Sequence, residues 1–114
     1  MQQILNIKTG RIKWQLAFED ILYCKAECNY TTFFMKDGTR ILTSKTLKLI
    51  ETKIDSHPFF RIHSGYLVNL SNIVGLTNTP TLSVELKNGT LLPLSVRKKS
   101  AFIHIIKQQV LYVA

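Results

Sequence analysis

The stretch FRIHSGYLVN, residues 60–69, decides how this chain folds, because it joins two apolar segments through a short polar junction. Its first four residues are typical of a β-strand, in which successive side chains point to opposite faces of the sheet. Such a strand would place Arg61 and His63 on one face and its apolar residues on the other. The junction also exposes Ser64. Polar side chains on the loops of a rigid sheet commonly form a binding surface.

Composition predicts one folded domain over residues 1–114, long enough for a single hydrophobic core but not for two. Hydrophobic residues make up 46% of the chain and charged residues only 19%, which argues against disorder. The chain has 15 Lys and Arg against 7 Asp and Glu, so its net charge is +8. This basic surplus indicates a polyanionic partner, with nucleic acid first and an anionic membrane surface second.

Nothing in the sequence indicates export or insertion into a membrane. The N-terminal residues lack the charged segment and apolar core of a signal peptide. No apolar run approaches the length that spans a bilayer. We therefore expect a cytoplasmic protein with no membrane partner.

The cysteines give no sign of a disulfide or a metal site. Cys24 and Cys28 would share one face of a strand at about 13 Å, too far apart for a bridge. A zinc site would need two more ligands, and neither His57 nor His63 offers a close pair. We expect two reduced, partly buried thiols and no cofactor.

Most of the chain is predicted to form short antiparallel strands, since aromatic and β-branched residues alternate with turn signals. The predicted strands are 4–8, 12–16, 21–26, 31–35, 40–43, 60–63, 73–76, 82–86 and 90–94. Asp37-Gly38 and Asn88-Gly89 each predict a two-residue type I′ turn, which needs positive φ at both central positions. The predicted fold class is mainly β, an elongated arrangement of antiparallel hairpins.

Two helices are predicted within this β-rich chain. The first spans about residues 45–55, with Thr43 or Ser44 as its N-cap and a stop at His57-Pro58. The second opens near Arg97 at the C-terminal end, with Ser95 as its cap and an apolar stripe of Phe102, Ile103, Ile106 and Val110. Residues 110–113 would suit a strand equally well.

The sequence argues against an enzyme. Its 7 acidic residues are too few and too scattered to suggest a catalytic carboxylate pair. His63 and Ser64 are adjacent, so in a strand their side chains would point to opposite faces. The sequence contains neither a G-x-S-x-G turn nor a glycine-rich phosphate loop.

The segment SVRKKS, residues 95–100, is a better candidate for function. It places Arg97, Lys98 and Lys99 at the start of the second predicted helix. Cations at a helix N-terminus oppose the macrodipole, which suggests that they serve a partner rather than the fold. Phosphates could bind both the side chains and the free backbone N–H groups there. The alternative is a solvated cationic turn.

Asn29 and Tyr30 lie between two predicted strands. Asn tolerates left-handed backbone geometry, so a plain turn is the simpler interpretation. The functional interpretation is that the Asn29 amide bonds an adenine edge beside the Tyr30 ring. His63 likewise could be either a satisfied structural histidine or a nucleic-acid contact.

Two other functions stay open on these residues. A single-stranded RNA binder would need exposed aromatic rings on the sheet, for which Tyr30, Phe33 and Phe34 are candidates. At least one of Phe33 and Phe34 must lie in the core, because adjacent strand residues face opposite sides. A β-rich protein-interaction module would instead expose an apolar patch and bind independently of salt.

The ordered set of short motifs resembles the LytTR family of bacterial DNA-binding domains. The resemblance covers about residues 18–106. The matching segments are DILY (20–23), Ala26, NYT (29–31), DG (37–38), TL (46–47), FRIH (60–63), YLVN (66–69), NG (88–89) and LPLS (92–95). No one segment is diagnostic, but their order and spacing together are specific.

This resemblance implies a domain whose loops enter successive major grooves of bent duplex DNA. It implies the output domain of a bacterial response regulator in a two-component system, which binds direct repeats as a homodimer on DNA and can follow a receiver domain. The residues at the family's contact positions are Asn29, Tyr30, His63, Ser64, Ser95 and Arg97. The chain departs from the family pattern at three positions, since Cys28 replaces a Gly, Ser64 a longer polar residue and Val96 an Arg.

Overall fold

Antiparallel strands dominate the computed structural model, which describes residues 3–54, 58–78 and 80–110. Within these residues the chain forms ten strands and two α-helices. In order they are β1 (Ile4–Thr9), β2 (Ile12–Ala17), β3 (Ile21–Glu27), β4 (Tyr30–Met35), β5 (Arg40–Thr43), α1 (Leu47–Lys53), β6 (Phe59–His63), β7 (Tyr66–Asn69), β8 (Ile73–Thr77), β9 (Ser83–Leu86), β10 (Leu91–Pro93) and α2 (Lys99–Val110).

The strands form three sheets. The central sheet has the order β5-β4-β3-β7-β6, β1 and β2 form a separate hairpin, and the third sheet has the order β10-β9-β8. The molecule measures 45 × 33 × 24 Å, so its longest dimension is nearly twice its shortest. The prediction of a mainly β, elongated antiparallel fold with a mid-chain helix and a C-terminal helix is confirmed.

The central sheet separates two hydrophobic clusters. The first cluster lies against β1, β2 and α1 and includes Phe33 and Leu67. The second cluster lies against β8, β9, β10 and α2 and includes Val68 and Phe102. Alternation along β7 sends the neighbours Leu67 and Val68 to opposite faces. The prediction of a single core is therefore wrong, because both faces of one sheet are covered.

The turns at Gly38 and Gly89 are three-residue loops rather than the predicted two-residue turns. Gly38 has a φ of 91° and Gly89 a φ of 89°, but Asp37 and Asn88 lack the positive φ that a type I′ turn needs. Asp37 Oδ1 instead accepts the Thr39 N–H at 2.9 Å, and Asn88 makes the matching bond in the second loop. Each glycine therefore supplies the left-handed residue that closes a type I turn with a bulge.

Helix α1 begins after Thr46, whose hydroxyl accepts the Leu49 N–H at 3.2 Å. The predicted caps Thr43 and Ser44 are wrong, because Thr43 is still paired and buried at the end of β5. The helix thus starts later than the apolar spacing suggested. The predicted end of the helix and its stop at His57 fall on residues 55–57, which lie outside the described residues.

Helix α2 begins at Lys99, after a single 3-10 turn over Val96–Lys98. Ser95 precedes that turn but makes no side-chain cap bond, which corrects the predicted cap. The intervening turn uses the Ser95 carbonyl, which accepts the Lys98 N–H at 2.9 Å. The helix includes Val110, and residues 111–113 lie outside the described part. Neither helix described here is long and apolar enough to cross a membrane.

A bulge in β6 overturns the predicted arrangement of Arg61 and His63. Arg61 pairs with Leu67 and His63 with Tyr66, so Ile62 is an extra residue opposite β7. Cross-strand partners lie on the same face of a sheet. Leu67 belongs to the first cluster, whereas Tyr66 packs against the second. Arg61 and His63 therefore lie on opposite faces.

Candidate nucleic-acid interface

Three connecting segments meet at one end of the central sheet. The β6–β7 turn is joined to β3 by a bond from the Ala26 N–H to the Gly65 carbonyl at 2.9 Å. The segment before α2 is joined to β6 by a bond from the Ser95 N–H to the Ile62 carbonyl at 2.8 Å. The β3–β4 turn, residues 28–29, directly follows the same end of β3. The fold thus gathers the three segments that the sequence singled out.

A groove of about 440 Å³ lies between the β6–β7 turn and the segment before α2. Its lining residues are Glu51, Arg61, His63, Ser64, Ser95, Arg97 and Lys98. The predicted site residues His63, Ser64, Ser95, Arg97 and Lys98 are thus brought together, whereas Asn29, Tyr30 and Lys99 do not line this groove. Glu51 and Arg61 complete the lining without having been predicted as site residues.

Arg61 links the β6–β7 turn to helix α1. Its Nε donates to the His63 carbonyl at 3.1 Å, and its Nη2 donates to the Ser64 carbonyl at 2.6 Å. Its Nη1 donates to Glu51 Oε1 at 2.8 Å. The sequence shows that Arg61 lies two residues before His63, which could have marked Arg61 as part of the site. No local pattern predicts its bond to Glu51 on a helix.

The His63 ring is held in one orientation. The Gly65 N–H donates to His63 Nδ1 at 3.0 Å, so Nδ1 acts as an acceptor. This bond assigns the proton of the neutral ring to Nε2. The ring also lies edge-on to the Tyr66 ring, with their centroids 5.8 Å apart. His63 therefore offers an N–H donor at its outer nitrogen.

A row of side chains across the central sheet supports that ring, with one residue from each strand. From β5 to β6 the row is Arg40, Phe34, Tyr23, Tyr66 and His63. Phe34 and Tyr23 stack at 4.4 Å, and the Arg40 guanidinium lies 5.2 Å from the Phe34 centroid. Burial, followed by the neighbouring Tyr66, raises the pKa of Tyr23. Phe34 on β4 therefore contacts Arg40 on β5 and Tyr23 on β3, the two strands that neighbour its own.

The three consecutive cations occupy different environments. Arg97 is exposed, and neither of the two ion pairs among the described residues involves it. Lys98 is half-buried, with its Nζ 5.6 Å from the Phe60 ring centroid. Lys99 is exposed on the first turn of α2. Arg97 is thus the groove cation whose guanidinium is available to a partner.

Cys28 determines the shape of the β3–β4 turn. It is the one non-glycine among the described residues with positive φ, at 51°, and it directly follows Glu27 at the end of β3. Asn29 does not share this geometry, so the turn expected at Asn29 is present with Cys28 as its left-handed residue. Positive φ at the first position alone is the pattern of a type II′ turn, which favours Gly there. Gly10 fills the equivalent position of the β1–β2 hairpin, with a φ of 60°.

The two thiols lie in contrasting surroundings, and both are free. Cys24 is fully buried in the first cluster, and burial raises the pKa of its thiol. Cys28 is exposed in the turn, so the two cysteines do not share a strand face. Within the described ranges, no group of three or more His, Cys, Asp or Glu side chains could hold a metal ion.

Comparisons with known proteins bear on this arrangement. The family model of the LytTr DNA-binding domain matches residues 13–107. A solved LytTr DNA-binding domain from Bacillus cereus, described as part of a methyl-accepting/DNA response regulator, is similar with a TM-score of 0.75. That match has 20% sequence identity and covers 90% of this chain and 95% of that chain, so it shows a shared fold. The comparison with curated proteins gives no match. Because the family model spans most of its length, this chain belongs to the LytTR family of DNA-binding domains.

Proposed function

We propose that residues 1–114 act as one domain that binds duplex DNA sequence-specifically, as the output domain of a bacterial response regulator. Family membership supports the broader part of this proposal, that the protein is a DNA-binding domain that acts in transcription regulation. In the proposal, loop side chains enter successive major grooves of bent DNA, and two copies bind direct repeats as a homodimer. A receiver domain preceding this one would supply the regulatory signal in the cytoplasm.

The observation that carries this proposal is the groove that holds Arg97 beside His63. Arg97 is exposed and has no ion pair among the described residues, so its planar guanidinium can bond a guanine through O6 and N7. His63 presents an Nε2–H that suits an acceptor on a base edge or a phosphate. The Ser64 and Ser95 hydroxyls line the same groove and can donate or accept.

The remaining predicted contacts lie around this groove. Asn29 is exposed on the neighbouring β3–β4 turn, where its amide could pair with an adenine edge. Tyr30 is half-buried beside it at the start of β4. We assign Lys98 and Lys99 to phosphates, which position a protein on DNA without reading the sequence directly.

A gel-shift experiment across a salt series tests the proposal. The probes are a duplex selected from a random-sequence pool and each of its single strands. If about five to eight phosphates are neutralised, log affinity for the duplex should fall against log salt with a slope of roughly −5 to −7. A slope near zero, or equal affinity for the single strands, would contradict it.

The RNA alternative is weakened by the positions of its aromatic candidates. Phe33 is fully buried in the first cluster. Phe34 is half-buried, with its ring stacked on Tyr23 and flanked by Arg40. Tyr30 is also half-buried.

One observation favours the protein-interaction alternative as a second candidate. A groove of about 610 Å³ between β8 and α2 has an apolar lining that includes Val74, Leu76 and Ile106. Val74 is 57% exposed. An interaction through this groove would be apolar and insensitive to salt. If it were the only function, the duplex probe would show no salt-dependent binding, so the same salt series tests this candidate.

A further inference from the structure

We propose that Arg61 is a positioning residue for the DNA contacts of the β6–β7 turn, and that Glu51 completes its hold from helix α1. This inference rests on the proposed DNA-binding function. It assigns Arg61 a role different from that of the other cations in the groove, because Arg61 would act through the turn rather than on the DNA itself.

The bonds of Arg61 converge on the backbone of the turn. Its guanidinium bonds the carbonyl oxygens of two successive residues, His63 and Ser64, at 3.1 and 2.6 Å. Holding both carbonyls restricts the peptide units that carry the His63 and Ser64 side chains. The Gly65 N–H then meets His63 Nδ1 at 3.0 Å, which leaves Nε2–H as the outward donor. The orientation of the His63 ring thus depends on a turn that Arg61 braces.

Glu51 anchors the other end of the guanidinium. Its carboxylate accepts from Arg61 Nη1 at 2.8 Å. Helix α1 is itself held by Leu47 and Ile50, both buried in the first cluster. The brace therefore connects a rigid part of the fold to the turn. Lys could not replace Arg61, since an ammonium group is a point charge and lacks the planar fork that reaches separate acceptors.

The surroundings of Arg61 do not suit a phosphate ligand. Its side chain is only 21% exposed, and all three of its nitrogens already donate within the protein. The Glu51 side chain is 44% exposed beside it and would repel a phosphate that approached. Arg97 differs from Arg61 in both respects, because its side chain is exposed and it has no ion pair among the residues described.

The test compares the binding of selected duplex DNA by Arg61→Ala, Arg61→Lys and the control Lys36→Ala. Lys36 is exposed in the β4–β5 loop, at the opposite end of the central sheet from the β3–β4 turn, so its removal changes the net charge equally away from the groove. We expect Arg61→Ala to lose at least tenfold more affinity than Lys36→Ala, and Arg61→Lys to recover little of that loss. The salt slope of Arg61→Ala should equal that of the wild type. A lost phosphate contact would instead reduce the slope by about 0.9 and overturn the proposal.

A double-variant cycle with His63→Ala measures whether Arg61 acts through the turn. We expect the loss in Arg61→Ala/His63→Ala to be clearly smaller than the product of the two single losses, because both changes disable the same contact. Independent, multiplicative losses would overturn the proposal. Glu51→Gln is a milder change, because the amide oxygen can still accept a hydrogen bond from Arg61. This variant should fold normally and should bind the duplex more weakly than the wild type.

Measurements on the free protein separate this inference from the proposed function. Nitrogen-15 spectra should show the His63 proton on Nε2 in the wild type, and Arg61→Lys should disturb that pattern and speed exchange of the Gly65 amide. An unchanged ring and amide in Arg61→Lys would overturn the brace, even if the wild type binds DNA. Wild-type protein that shows the brace but no salt-dependent duplex binding would overturn the proposed function instead.

Discussion

The Asn69 side chain donates from Nδ2 to the Ile21 carbonyl at 2.9 Å, which joins the end of β7 to the start of β3. Asn69 is fully buried. Its Oδ1 accepts both the backbone N–H and the hydroxyl of Ser71, at 3.1 and 2.8 Å. One amide thus bonds polar groups at the start of β3 and in the 3-10 turn Leu70–Asn72 that follows β7, as buried polar groups require.

Replacing Asn69 should cost substantial stability. Asn69→Ala leaves the Ile21 carbonyl and the Ser71 N–H without these partners, so we expect the free energy of unfolding to fall by about 2–4 kcal/mol. Urea denaturation followed by circular dichroism measures the change. Asn6→Ala is the matched control on the exposed face of β1, expected within about 0.5 kcal/mol of the wild type. Equal stability of the two variants would contradict this role for Asn69.

Cys28→Gly should stabilise the protein. A left-handed non-glycine residue costs about 1–2 kcal/mol, and the extra chain entropy of Gly offsets about 0.5–1 kcal/mol of that relief. The expected net gain is therefore up to about 1.5 kcal/mol in urea denaturation. Cys28→Ser keeps the Cβ atom and the strain, so it should show no such gain. A Gly variant no more stable than the Ser variant would show that the turn is unstrained.

The thiols should differ sharply in reactivity. Burial raises the pKa of Cys24 and shields its sulfur, whereas Cys28 is exposed. Because the thiolate is the reactive form, a maleimide should modify Cys28 alone in the folded protein and both cysteines in urea. Mass spectrometry of the modified peptides identifies the sites. Cys24 modification in the native protein at a similar rate to Cys28 would contradict the buried position of that strand residue.

Arg97→Ala should impair recognition without unfolding the protein. Its guanidinium is exposed and takes part in no ion pair among the residues described, so a melt should resemble that of the wild type. Loss of a bidentate guanine contact, about 1–3 kcal/mol, should reduce specific binding at least tenfold and flatten the preference at one base pair per half-site. Arg97→Lys should recover only part of the loss. Normal binding by Arg97→Ala, or failure through unfolding alone, would remove Arg97 from the site.

Lys98→Ala and Lys99→Ala should weaken binding to all duplexes alike, because phosphate contacts carry no direct sequence information. The structure adds a distinction in stability. Lys98 packs over the Phe60 ring, so its removal should cost up to about 1 kcal/mol, whereas removal of the exposed Lys99 should cost less. Binding to selected and scrambled duplexes, alongside thermal melts, checks both points. A change that relaxes base preference but spares nonspecific binding would reverse the assignment.

Local patterns in the sequence were sufficient to predict nine of the ten strands, all except β7. The period-two alternation of apolar residues acts over a few positions, so the ends of the predicted strands agree with the structure to within one residue. The glycines at 38 and 89 likewise marked both hairpins, because positive φ is a property of a single residue. The loop type was predicted wrongly, because an Asp-Gly or Asn-Gly pair fits both a two-residue type I′ turn and a three-residue loop with a bulge. The pairing of the flanking strands decides between the two.

The arrangement of the site needed the tertiary structure. Arg61 and Glu51 are ten residues apart on a strand and a helix, and no local rule brings that pair together. The bulge at Ile62, which separates Arg61 from His63, arises from how β6 pairs with β7. The sequence by itself determined which segments carry polar and cationic side chains, because composition and alternation are local. Only packing of the central sheet between two clusters decided which of those side chains share a groove, because that depends on contacts between residues far apart in the chain.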